Sequence, residues 1–298
     1  MSQPPPPPHP PGGQVPPGGH VPPGGHVPSS GPFGAPGPGP AQAPTTDPAW
    51  PGGGRRDGSK AADAFPVPFS AADGAVLVLW TLLAQFVVVL PAIFLGIVDP
   101  AGGPALLLMV VVAQAVGLAG ALAYLAARGR LSWRLMGPMR PRLLHWGVGI
   151  IVGIGGFIGV NLVIVAVTQF LGPVAPPEQQ LLQDLTAGGA STLLAIVAAI
   201  VMAPVVEEVV FRGVLFQGLK RRLGLWPAAL ISGLVFAVVH AGEVTQPLYV
   251  AGLLGLGVLL AWSMHRFGSL IVPIIGHAVF NSISVALTLF GARFLDSV

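Results

Sequence analysis

The chain has 298 residues, of which 53% are apolar and only 8% charged, with a formal net charge of +3. Soluble domains carry about 25% charged residues and need a charged face on most helices, so this composition excludes an ordinary water-soluble globule. The absence of cysteine excludes disulfides, thiolate zinc sites and a cysteine nucleophile. The basic residues cap apolar stretches and do not form an aromatic-interleaved patch, which argues against a nucleic-acid partner.

Residues 1 to about 70 read as a disordered, Pro/Gly-rich tail, from the run Pro4–Pro8 through the near-repeat of Val15–His20 and Val21–His26. Proline lacks an amide donor, glycine is entropically costly to order, and few apolar residues offset that cost. The tail has no basic segment followed by an apolar one, so it is not a signal peptide. Its His9, His20 and His26 are weak candidates for metal binding; a solvated low-complexity segment is the preferred reading. A proline-recognition partner for the tail is an unspecific expectation.

From about residue 71 to 298 the chain reads as an all-α, polytopic membrane bundle. Apolar segments at Ala75–Val98, Ala105–Ala127, Trp146–Leu171, Thr192–Leu219, Trp226–Ala241, Leu248–Met264 and Leu270–Phe290 predict seven or eight membrane helices, since about 20 residues cross a hydrocarbon core. The fifth and sixth are short. An extra re-entrant or interfacial helix at Gln179–Leu185 would not disturb the alternation of charged connections. Alternate connections carry the basic residues: Arg55, Arg56 and Lys60; Arg128 to Arg142; Lys220 to Arg222; and Arg266. The others carry Asp99, Glu178, Asp184 and Glu243 and no Lys or Arg. The positive-inside rule then puts the tail in the cytoplasm and the C-terminus outside. Gly149, Gly153, Gly155, Gly156 and Gly159 on the third segment predict close helix packing.

Two carboxylates, Glu207 and Glu208, stand inside the fourth apolar segment, where a charge must be paired, protonated or functional. Arg212, four residues on, shares a helix face with Glu208 and predicts an ion pair. That leaves Glu207 without a local partner, a candidate for acid–base chemistry. His240 lies late in the fifth segment, and His277 and Asn281 are one turn apart in the seventh. Counted from the nearest basic residues at 1.5 Å per residue, all four lie roughly 15 to 25 Å deep and can share one polar cavity. Each taken singly has a duller structural role; the combination at matching depth carries the inference.

Glu207-Glu208-Val209-Val210-Phe211-Arg212, Phe236 to His240 and His277 to Asn281 match, in order, the EExxxR, FxxxH and HxxxN motifs of the CPBP family. That family includes the Rce1-type CAAX prenyl endopeptidases. The resemblance covers about residues 190–290 and implies an intramembrane endopeptidase acting on membrane-associated peptides or proteins. It implies that Glu207 acts as general base on water with help from His240, that His277 and Asn281 bind the oxyanion, and that Glu208 and Arg212 hold the site in shape. A metal-free mechanism is preferred because the chain lacks an HExxH sequence. In the metal-dependent alternative, Glu207, His240 and His277 would ligate zinc. The expected location is a bacterial plasma membrane. Competing readings are a non-catalytic membrane scaffold or bacteriocin-immunity-type protein and, last, a proton-coupled transporter, which buried Glu and His would also serve.

Overall fold

The computed structural model describes residues 68–137, 142–172, 185, 187–241 and 247–295. The tail, with its histidines and its expected partner, and residues 179–184 of the expected extra helix lie outside these. Among the described residues all regular secondary structure is helical. The helices are α1 (Ala71–Phe94), α2 (Pro104–Ala127), α3 (Leu143–Leu171), α4 (Gly189–Leu223), α5 (Leu225–Val239), α6 (Pro247–Phe267) and α7 (Ile271–Leu295). Six are long and apolar enough to cross a membrane, and α5 is shorter. The chain is thus an integral membrane helix bundle, with the expected segments within a few residues of their predicted bounds. The sixth is longer than its apolar run because His265 and Arg266 continue its last turn.

Helix ends follow local chemistry. Ser70 caps α1: its hydroxyl accepts from the Asp73 amide at 3.2 Å while Asp73 Oδ2 accepts from the Ser70 amide at 2.7 Å. Pro104 opens α2 at a position whose amide has no helical partner. Gly137, at φ +100°, ends a 3₁₀ turn (Trp133–Met136) where it backs onto the Gly268 carbonyl, a conformation and an approach that both exclude a side chain.

Contacts gather the basic segments at one end of the bundle. Arg130 pairs with Asp73, which also accepts from Tyr124 at 3.1 Å. Arg221 donates to Phe69 O at 3.0 Å, and Lys220 lies 2.7 Å from His265 Nδ1. Arg130 after α2 and Arg221 on the last turn of α4 thus share the end of the bundle at which α1 begins.

Small residues set the helix spacing. On α2, Ala113, Gly117 and Ala121 are buried, and Trp80 of α1 donates to Gly117 O at 3.0 Å. On α3, a Cβ at Gly149 would stand 2.7 Å from Ile275 Cβ, and one at Gly153 would stand 2.5 Å from Gly276 O. These two glycines let α7 lie against α3, and Gly156 meets Leu259 of α6. Gly155 and Gly159 face open space, so the predicted packing role holds for three of the five.

At the centre is the second half of α4, where every residue from Val209 to Gly218 is buried. Elsewhere the exposed faces carry residues such as Leu79, Phe86, Ile151 and Leu162, as lipid requires. After the exposed Arg266, Gly268 to Leu270 are buried, and Leu270 N bonds Met136 O at 2.8 Å. Helix α7 therefore begins inside the bundle, and His277, only two turns along it, reaches the depth of mid-α4.

Candidate active site

The six residues singled out in the sequence lie on α4, at the end of α5 and on α7, and five of them, all but Asn281, are linked by the contacts below. Glu208 and Arg212 are fully buried, and Arg212 Nη1 donates to Glu208 Oε1 at 2.7 Å, the predicted i,i+4 pair. Arg212 Nη2 donates to Gly257 O on α6 at 3.2 Å. That carbonyl is within reach because α5 and α6 cross at Gly233 and Gly257, where a Cβ on Gly257 would lie 2.7 Å from Gly233 Cα. The guanidinium also lies over the Phe236 ring, 4.6 Å from its centroid. A buried charge needs this many partners to offset lost hydration.

Glu208 Oε1 lies 2.9 Å from His277 Nδ1. A carboxylate paired with Arg212 accepts, so Nδ1 carries the hydrogen and Nε2 is turned the other way. It faces Glu207, with Nε2 3.9 Å from Oε2. His240 is oriented by the same logic. Its Nδ1 lies 2.8 Å from Phe236 O, which can only accept, and its Nε2 is 3.6 Å from Glu207 Oε1. The two imidazoles thus converge on one carboxylate at distances just beyond a direct hydrogen bond. Phe236 touches both rings, with centroids 4.6 Å from His240 and 5.7 Å from His277.

Asn281 sits one turn beyond His277 and donates from Nδ2 to Ala199 O at 2.8 Å. The reason lies in α4. Residues Val197–Met202 form a π-helical turn, in which each carbonyl pairs with the amide five residues on, as Ala198 O does with Ala203 N. The partner due to Ala199 O is the amide of residue 204, which is a proline. Asn281 supplies the missing donor. A second π-helical stretch, Val209–Phe216, follows the paired glutamates, so Glu207 and Glu208 stand on a short α-helical insert between two wide turns.

Glu207 also lines a cleft of about 440 Å³. Its walls are α1 (Val78, Thr81, Leu82, Gln85, Phe86, Val89, Leu90), α2 (Val110, Gln114), α4 (Ala203, Val206, Glu207, Val210, Phe211) and the end of α5 (Val239, His240). Among the described residues no group of three His, Cys, Asp or Glu is placed to hold a metal ion.

Residues 189–283 match the family described as Type II CAAX prenyl endopeptidase Rce1-like. Over that region the chain is similar to the Rce1-like family. All six site residues fall inside it, whereas α1, α2 and α3 fall outside. The chain is 31% identical over 100 residues to the "Putative membrane peptidase YdiL" of Bacillus subtilis, covering 34% of this chain and 39% of that protein. It is 27% identical over 131 residues to an "Uncharacterized 24.3 kDa protein" of Escherichia coli, covering 42% of this chain and 60% of that one. The chain therefore spans less than two thirds of the length of either relative. No solved structure matches it.

Several residues that build this site carry only a faint signal in the sequence. Phe236 was legible only as a motif letter, although it packs on Arg212 and both histidines. Pro204, three residues before Glu207, was the available signal for a carbonyl in need of a donor. Gln85 and Gln114 were legible as polar residues inside apolar helices, the kind of exception that marks a cavity.

Proposed function

We propose that this chain is an intramembrane endopeptidase that hydrolyses membrane-associated peptides or proteins with a water activated by Glu207. One observation carries the reading: of two adjacent buried carboxylates, Glu208 is committed to Arg212 and His277, while Glu207 faces a cleft and two oriented imidazoles. An in-membrane match to an endopeptidase family over residues 189–283 supports it.

Glu207 accepts a proton from water as the water oxygen attacks the scissile carbonyl carbon, and passes it to the leaving amine as the C–N bond breaks. His240, fixed by the Phe236 carbonyl, orients that water. His277 and Asn281 stabilise the oxyanion of the tetrahedral intermediate. Asn281 has two amide hydrogens, one held by Ala199 O and one left for this task. His277 serves as donor when it carries hydrogens on both nitrogens. The scheme is written without a metal ion, since no step requires one. The chain resides in a bacterial plasma membrane, with the basic end of the bundle in the cytoplasm.

The test is hydrolysis by purified full-length protein in proteoliposomes of a quenched-fluorescence library of apolar peptides. Cleavage by the natural sequence, absent in Glu207→Gln, is the expected result. No cleavage by either, or equal cleavage by both, overturns the reading.

A further inference from the structure

Helices α1 and α2 lie outside the family match, yet they supply most of the cleft beside Glu207. The α1 positions that line it run from Val78 to Leu90, about 18 Å along the helix and enough for about five residues of extended chain. The lining is otherwise apolar except for Thr81, Gln85, Gln114 and the catalytic pair Glu207 and His240. Thr81 is occupied locally, donating to the Leu77 and Val78 carbonyls at 3.0 and 2.9 Å. Gln114 differs: its Oε1 is buried and has no hydrogen-bond partner. An orphaned acceptor at membrane depth is costly, and a cleft of this size takes a ligand.

A substrate segment must be unwound before its carbonyl can be attacked. In the hydrocarbon layer each freed peptide N–H and C=O then needs a partner. A carboxamide offers an acceptor and two donors, which match both halves of a peptide group. Resting on the proposed hydrolytic reading, we infer that the α1–α2 wall is the substrate-binding subsite, with Gln114 Oε1 accepting a backbone N–H of an extended apolar peptide and Gln85 assisting. Leu82, Phe86 and Val89 then face its side chains, so selection is for apolar residues flanking the cut. Gln114 and Gln85 are positioning residues and take no part in proton transfer.

The experiment measures binding apart from cleavage. The probe is a fluorescein-labelled peptide of about ten Leu and Ala residues flanked by lysines, with a companion set in which single backbone N–H groups are replaced by ester oxygen. Binding to purified full-length Glu207→Gln protein is read by fluorescence anisotropy. At least one ester is expected to bind about tenfold more weakly than the amide peptide, equivalent to about 1.4 kcal/mol. Adding Gln114→Leu should weaken the amide peptide by a similar factor and erase the ester's penalty, with an unchanged melting temperature; Gln85→Leu should give a smaller loss. The subsite is overturned if the peptide does not bind, if every ester binds like the amide, or if the ester's penalty survives Gln114→Leu. Overturned while the natural sequence still cleaves peptides, it leaves hydrolysis standing with another binding mode. If the ester pattern appears but nothing is cleaved, the subsite holds and the hydrolytic reading fails.

Discussion

Glu207 and Glu208 are neighbours on one helix, and they live in different chemical worlds. The Glu208 side chain is fully buried and tied to Arg212 and His277, whereas that of Glu207 is 21% exposed and faces a cleft. Successive residues on a helix point about 100° apart, so one carboxylate meets the packed centre of the bundle and the other its open side. The pair shows how a single polar insertion in an apolar helix can be divided between architecture and chemistry. The same division runs through the histidines: His277 is anchored by the closed half, while His240 stands with Glu207 at the cleft.

The largest expected effect breaks the open half alone. Glu207→Gln should lower peptide cleavage by roughly 10²- to 10⁴-fold, the usual contribution of a positioned general base, with the melting temperature nearly unchanged. Next comes the closed half. Arg212→Met leaves Glu208 buried and uncompensated and should cost about 3–5 kcal/mol of stability, measured by unfolding in detergent. Adding Glu208→Gln to that variant should recover part of the loss.

A smaller effect sharpens the role of Asn281. Asn281→Ala orphans the Ala199 carbonyl and should cost about 1–3 kcal/mol. In a Pro204→Ala background the restored amide can serve that carbonyl, so the cost should shrink. Strictly additive losses would contradict the pairing. If cleavage stays low in that double variant although stability returns, the second Asn281 hydrogen acts on substrate. The smallest contrast lies on α3. Gly153→Val should destabilise by about 1–3 kcal/mol by forcing α7 away, while Gly155→Val should stay within about 0.5 kcal/mol.

The membrane helices were legible because apolar length is a one-dimensional signal, and lipid imposes it on each helix separately. The six site residues were legible because intramembrane charge is rare and because Glu207-Glu208, Arg212, His240, His277 and Asn281 recur at helical spacing. What the sequence could not convey depends on which helices lie side by side. Gly153 and Gly155 look alike until α7 is seen against one and open space against the other. Gln85 and Gln114 belong to no spaced pattern, and only the apposition of α1 and α2 with α4 brings them beside Glu207. Asn281 gains its tie to Ala199 from a proline on another helix and a π-helical turn, neither of which spacing within α7 reveals.

The central claim is that peptide bonds are cut at Glu207. Its most direct test is mass spectrometry of new peptide termini in membranes and medium from cells carrying the natural sequence or Glu207→Gln, at matched protein levels. The account predicts termini present with the natural sequence and missing from the variant, which would name the substrate as well. Identical termini in the two, with Glu207→Gln still restoring any phenotype caused by deleting the gene, would contradict it and identify a scaffold instead of an enzyme.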